Sequence, residues 1–139
     1  MSEPMFEAAV PGFHEDHRRI IIPILNGDVT GFGNMQVKGA LVKSNEIGFE
    51  MGCHYHPEGY DEVYVVLVGQ IDWTLYEHSD PTNQYHYTTM PGQRLVIRSG
   101  WAHLAKVAPN TILVGISSKP YPVDNPSSVD IRVPRENFN

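Results

Sequence analysis

A chain of 139 residues is long enough for one compact domain with one core, and a hydrophobic content of 41% is too high for a disordered polymer. The formal net charge is −6, and the Lys and Arg residues are scattered with no basic stripe, which argues against nucleic acid and against an anionic membrane surface as partners. Cys53 is the single cysteine, so no intrachain disulfide can form, and a reducing cytoplasm is the expected location.

Residues 1–19 carry Glu3, Glu7, Glu15 and Asp16 and no long apolar run, so they read as a polar arm and not as a secretory signal. The apolar stretch Ile20–Leu25 is too short to span a bilayer. Helical periodicity is nearly absent, and short β-type runs alternate with turn residues at the spacing of an all-β barrel or sandwich. In chain order the expected strands are Arg19–Leu25, Met35–Lys43, Gly48–Tyr55, Glu62–Val68, Ile71–Glu77, Tyr85–Thr89, Arg94–Ile97, Leu104–Val107 and Thr111–Ser117. Asn26-Gly27-Asp28, Pro57-Glu58-Gly59, Ser79–Asn83, Pro91-Gly92 and Ser99-Gly100 separate them with residues that tolerate turn dihedrals. After Lys119 the chain holds Pro120, Pro122, Pro126 and Pro134, and residues 119–139 read as an irregular tail or edge strand packed on the barrel or a neighbour. No domain boundary is expected within 1–139.

The informative stretch is His54-Tyr55-His56-Pro57-Glu58-Gly59-Tyr60-Asp61-Glu62. Alternation in a strand points His54 and His56 to one face, about 7 Å apart along the chain, which lets two imidazoles converge on one ion. Glu62 opens an otherwise apolar strand, and a carboxylate buried there needs a partner. His103 shares its strand face with Ala105 and Val107, while Lys106 points the other way. Three neutral imidazoles and a carboxylate suit one divalent transition metal (iron, manganese, nickel, cobalt or zinc) and leave coordination positions open for chemistry.

At these residues the sequence resembles the cupin superfamily. Gly48, five residues, His54-Tyr55-His56, five residues, Glu62, six residues and Gly69 follow that family's first motif, except that the gap before the carboxylate is usually three or four residues. The shorter spacing would make Asp61 the carboxylate; the run to Gly69 favours Glu62. Gly92, Gly100 and His103 match the second motif, with Arg98 and Val107 in place of its proline and asparagine. The resemblance covers residues 48–107 and implies a double-stranded β-helix, the cupin or jelly-roll barrel, with His54, His56, Glu62 and His103 as metal ligands. Shorter stretches, Glu62–Gly69 and Trp101–His103, are similar to parts of cupin-type phosphoglucose isomerases, and Pro122–Pro126 is similar to tails in cupins of surface-sugar biosynthesis. The family also implies a homodimer formed by pairing edge strands, with the arm and the tail as candidates for the exchange.

The remaining candidates flank this set. Cys53 and Tyr55 face away from the metal by alternation. Tyr64, Val66 and Val68 share the face of Glu62. His86 alternates with Tyr85 and Tyr87, and the register that would turn either set inward is open. An apolar pocket wall of Val66, Leu75 and Ile97 would favour oxygen chemistry, Trp101 packs or walls the site, and Arg94 and Arg98 read as solvated or as anion binders. His14 and His17 read as solvated, and His78 has no evident role. The resulting expectation is a metal-dependent enzyme acting on a small polar metabolite. A sugar isomerase or epimerase is placed first, with His86, Tyr64 or Glu58 as the group that moves the proton. A non-haem iron dioxygenase and a non-catalytic small-ligand binder are the alternatives.

Overall fold

Valine, isoleucine, threonine and aromatic residues fill the runs between the turns, and those runs form strands. The computed structural model describes residues 3–17, 20–25, 27–43 and 45–138, with the backbone alone for Ile20. Its strands are β1 (Met5–Glu7), β2 (His14–Glu15), β3 (Ile20–Ile21), β4 (Gln36–Leu41), β5 (Phe49–Tyr55), β6 (Glu62–Val68), β7 (Ile71–Glu77), β8 (Gln84–Thr89), β9 (Arg94–Ile97), β10 (Trp101–Val107), β11 (Ile112–Ser117) and β12 (Ile131–Arg132). Two single turns of 3₁₀ helix, Pro126–Ser128 and Arg135–Asn137, are the helical elements among the described residues. Five strands make one sheet in the order β1-β9-β6-β11-β4, and five make the other in the order β12-β5-β10-β7-β8. Neighbouring strands pair antiparallel, with β2 and β3 as a separate ribbon.

The inner faces of the two sheets meet over Val66, Ile71, Trp73, Leu75, Leu95, Ile97, Ala105, Val107 and Leu113. Runs such as Val63–Val66 are apolar at every position because the outer faces are covered too. Ile24, Leu25, Val29 and Phe32 lie over Val63, Val96 and Ile116 of the first sheet. Val133 and Phe138 lie over Tyr76, Ala102 and Leu104 of the second. The arm and the tail are therefore structural layers, and each contributes strands, β1 against β9 and β12 against β5.

Several expectations change at their edges. The strand expected at Leu104–Val107 begins at Trp101, so His103 sits within it. The strand expected at Arg19–Leu25 is reduced to Ile20–Ile21, and Arg19 lies outside the described residues. Val68 does not share the inward face of Glu62: the β6–β11 register slips between Ile112 and Leu113, and Val68 is 53% exposed. Such a slip inserts one extra residue and turns the residues beyond it to the opposite face.

Arg94 is not a solvated arginine. It is 1% exposed and donates to Glu7 at 2.8 Å, to Asp28 at 2.7 Å and to the Ile24 carbonyl at 2.8 Å, which staples the arm to β9. Arg94→Met leaves two carboxylates without their cation, and urea denaturation is expected to show a loss of about 3 kcal/mol. An unchanged midpoint would mean that apolar contacts alone hold the arm.

Candidate metal and proton-transfer site

The β5–β10 pairing sets the site. His54 lies directly opposite His103, and the register then slips so that Leu104 opposes Gly52 and Cys53 is the extra residue. Gly52 and Cys53 both have positive φ, +93° and +67°. A side chain at Gly52 would put its Cβ 2.8 Å from the His103 carbonyl oxygen, so only glycine permits this approach. The bulge turns Met51 and His54 inward, while Cys53 and Tyr55 face outward into the cluster under the tail. Cys53 Sγ donates to the Val133 carbonyl at 3.3 Å.

His56, just past β5, and Glu62, at the start of β6, complete the group. Ring centroids lie 4.8 Å apart for His54–His56, 4.8 Å for His54–His103 and 5.2 Å for His56–His103. Glu62 Oε1 is 2.7 Å from His56 Nε2 and 3.6 Å from His103 Nε2, and Glu62 Oε2 accepts from the Tyr64 hydroxyl at 2.7 Å. His56 Nδ1 donates to the Val129 carbonyl at 2.8 Å, and His103 Nδ1 donates to the Trp101 carbonyl at 3.0 Å. These bonds hold a proton on each Nδ1 and direct both Nε2 atoms at the cluster.

Burial, followed by the charges of His103 and His56, holds the His54 pKa down to about 3. Burial also lowers His103. For His56, burial alone disfavours the imidazolium, but the hydrogen bond and charge of Glu62 outweigh it and the pKa is raised. Burial would raise Glu62; the bond to His56, with the neighbouring charges and Tyr64, instead lowers it to about 2.

The donor set fits a divalent metal. His54 Nδ1 and His103 Nε2 are buried and have no hydrogen-bond partner, a costly state that a cation would relieve. One nitrogen from each of His54, His56 and His103 lies within 4.8 Å of the others. Asp61, the rival carboxylate, is elsewhere: it accepts from the Ser99 backbone at 2.9 Å and pairs with Arg98 at 3.2 Å.

A cavity of about 160 Å³ opens on this cluster. Its apolar wall is Ile71, Trp73, Ala105, Val107 and Leu113; Val66, Leu75 and Ile97, considered for such a wall, sit in the core behind it. Tyr64 lines the cavity, as expected. His86 and Glu58 do not. His86 is exposed on the outer side of β8, with Nδ1 3.2 Å from the Thr74 hydroxyl, because Tyr85 and Tyr87 take the inward positions. Glu58 is exposed at its turn. Neither can reach a molecule in the cavity. Trp101 packs edge-on against Tyr85, and His78 stacks on Tyr55.

Sequence reasoning missed Lys38, Tyr121 and Asp130. Asp130 Oδ1 lies 3.4 Å from His56 Nδ1 and 3.9 Å from His54 Nε2, while Oδ2 accepts from the Tyr121 hydroxyl at 2.6 Å. That bond raises Tyr121 to about 12. Lys38 Nζ stands 5.6 Å from the Tyr121 ring centroid. Alternation along β4 could have turned Lys38 inward with Ala40. Nothing local in the proline-punctuated tail marks Asp130.

No protein-family model matches this chain, and no curated protein matches it in sequence. Solved structures do match. The WlaRB TDP-quinovose 3,4-ketoisomerase of Campylobacter jejuni superposes with a TM-score of 0.75 at 16% identity, covering 99% of this chain and 98% of that one. A double mutant of the QdtA 3,4-ketoisomerase of Thermoanaerobacterium thermosaccharolyticum, in complex with TDP, gives 0.71 at 17% identity, covering 89% and 86%. RmlC of Streptococcus suis, in complex with dTDP-D-xylose, gives 0.70 at 14% identity, covering 94% and 77%. The chain therefore has an all-β, cupin-like fold of two antiparallel five-stranded sheets, as its motifs implied, and shares that fold with these solved structures.

The histidines give stability a definite pH dependence. His54 has an ordinary pKa of 6.5 when unfolded and about 3 when folded, so the stability it contributes is present above about 6.5 and lost as pH falls toward 3. His103 has the same sign. His56 has the opposite sign: its contribution is present below about 6.5 and lost as pH rises through its raised value. Glu62 contributes above 4.5 and loses that contribution as pH falls toward about 2. Between pH 6.5 and 4.5 the His56 and Glu62 contributions stay in place while those of His54 and His103 are being lost, so the Tm of metal-free protein is expected to fall across that range. The slope should be shallower in His54→Gln; equal slopes would mean that His54 is not held neutral.

Proposed function

We propose that this protein is a sugar isomerase or epimerase that moves a proton at a carbon beside a carbonyl, and that it acts on a keto sugar linked to TDP. The observation that carries the reading is the inner end of the cavity. There the imidazoles of His54, His56 and His103 converge, and the buried His103 Nε2 has no hydrogen-bond partner although it lies 3.6 Å from the Glu62 carboxylate, which the Tyr64 phenol also meets. The near full-length likeness in fold to a TDP-sugar ketoisomerase supports the substrate class.

His54, His56, Glu62 and His103 would hold one divalent transition metal, which supplies Lewis-acid polarisation of a carbonyl when bound. Proton movement then falls to the cavity wall. Asp130 Oδ1 keeps lone pairs toward the cavity, because Oδ2 is taken by Tyr121, and it accepts the proton from the carbon beside the carbonyl. Burial and the adjacent Glu62 charge push the Tyr64 phenol well above its usual range, so its hydroxyl keeps its proton and donates to an oxygen that gains charge. The proton returns to the opposite face of the same carbon in epimerisation, or to the former carbonyl carbon in ketoisomerisation. Neither route consumes an oxidant. The apolar wall excludes water from the intermediate enediol.

The test is deuterium exchange from D₂O into TDP-4-keto-6-deoxyglucose, followed by NMR, on protein as purified, after chelation and after cobalt(II) reloading. Exchange is expected, and Asp130→Asn is expected to lower its rate at least about 100-fold. Exchange that survives chelation would remove the metal from the reading and leave the imidazoles themselves as acid and base. No exchange in any form would sink the isomerase. Three imidazoles, a carboxylate and an apolar wall also favour a non-haem iron dioxygenase, which oxygen consumption by iron-loaded protein would reveal. A homodimer belongs to the same proposal. β4 ends its sheet with Val37 and Leu41 exposed, and a monomer mass by light scattering would remove that part.

A further inference from the structure

Gly115 lies mid-strand in β11, opposite Tyr64 on one side and Lys38 on the other. Its φ is not positive, so no turn or backbone strain asks for glycine there. Glycine within a strand costs stability through chain entropy and leaves no side chain to pack, so its presence needs a local reason. The reason is overhead. A Cβ on residue 115 would lie 3.0 Å from Tyr64 Cε1 and 3.2 Å from Lys38 Cε. The two side chains lean over the gap from neighbouring strands, and both reach the cavity.

Each is the first link of a chain that ends on the histidines. Tyr64 donates to Glu62 at 2.7 Å, and Glu62 meets His56 at 2.7 Å and His103 at 3.6 Å. Lys38 stands over the Tyr121 ring, Tyr121 donates to Asp130 at 2.6 Å, and Asp130 faces His56 and His54. We infer that Gly115 is a positioning residue of this site: by carrying no side chain it lets Tyr64 lie against Glu62 and lets Lys38 reach the cavity rim. The two neighbours differ in how they would yield. Lys38 is flexible and can swing out. The Tyr64 ring is held against Trp73, with centroids 5.0 Å apart, and cannot retreat without shifting its hydroxyl. A methyl group at residue 115 therefore acts on the Tyr64–Glu62 bond first.

This inference deepens the proposed function, and it rests on that reading only for its second measurement. The first measurement is the crystal structure of Gly115→Ala beside that of the wild type. The Tyr64 hydroxyl is expected to move out of hydrogen-bond range of Glu62. The second is cobalt(II) affinity by absorption titration, expected to weaken about tenfold, as when a group orienting a metal ligand is lost. In a Tyr64→Phe background the same substitution should change affinity less than about twofold, since the bond it disturbs is already gone. A general packing defect would weaken affinity equally in both backgrounds. Wild-type protein that takes up no cobalt would overturn the metal reading alone, leaving the crystal structures to judge Gly115. Retained Tyr64–Glu62 geometry, or equal losses in both backgrounds, would overturn the inference. If Gly115→Ala does not fold, Lys38→Ala/Gly115→Ala relieves half the crowding and is measured in its place; failure of that variant to fold would make Gly115 a packing requirement and overturn its role in the site.

Discussion

Glu62 is a carboxylate at the mouth of a valine-rich strand, and the site is built around satisfying it. Left alone in that wall, its charge would be expelled by neutralisation or by unfolding. Both oxygens are instead engaged, one by His56 with His103 behind it, the other by Tyr64. Against burial at His56 and together with it at Tyr64, the same charge raises both, while burial and the neighbouring imidazoles lower His54 and His103. One buried acid thus divides its neighbours into an imidazole that it pairs with, a phenol that keeps its proton and two imidazoles whose cationic form is disfavoured. That division makes the cluster competent either to take a metal or to move a proton.

The barrel alone does not complete this arrangement. β5, β6 and β10 supply the histidines and Glu62, but the carbonyl that fixes His56 and the carboxylate facing it come from residues 129 and 130. The tail is anchored along β5 and beyond it. Arg135 holds Glu50 through two bonds, Arg132 donates to the Gly52 carbonyl, and Phe138 is buried against Tyr76. At the other sheet Arg94 does the same for the arm. Both irregular ends are therefore fastened by buried or bidentate contacts, and both cover apolar outer faces that would otherwise be wet.

The central strands were legible in the sequence because turn residues punctuate them and β-branched residues fill them; Glu62–Val68, Ile71–Glu77 and Arg94–Ile97 are found with the expected bounds. The grouping of His54, His56 and Glu62 was legible as well, since it needs only alternation and one turn; His103 joined it through the match to the second cupin motif. Legibility stopped where alternation breaks. The slip at Ile112–Leu113 turns Val68 outward, and the bulge at Gly52–Cys53 decides which residues before His54 face the cavity. Bulges are set by backbone packing across strands; Gly52 within an expected strand is the one local sign of this bulge, and it does not tell which residue is the extra one. His86 was undecidable for a related reason: both registers of Gln84–Thr89 place aromatic or polar residues on either face. Asp130 was out of reach because long-range docking of the tail places it.

The two Nδ1 protons are held by different parts of the chain. His103 is set locally, since the Trp101 carbonyl lies two residues away on β10 and forms with the strand itself. His56 is set by the Val129 carbonyl, 73 residues away in sequence. A carbonyl can only accept, so it holds a proton on His56 Nδ1, and the bond to the Glu62 carboxylate is made through Nε2–H. Residues 129 and 130 thus contribute both the acceptor that holds the His56 Nδ1 proton and a carboxylate at the cavity rim. The tail is part of the site's chemistry as well as the cover of an apolar face.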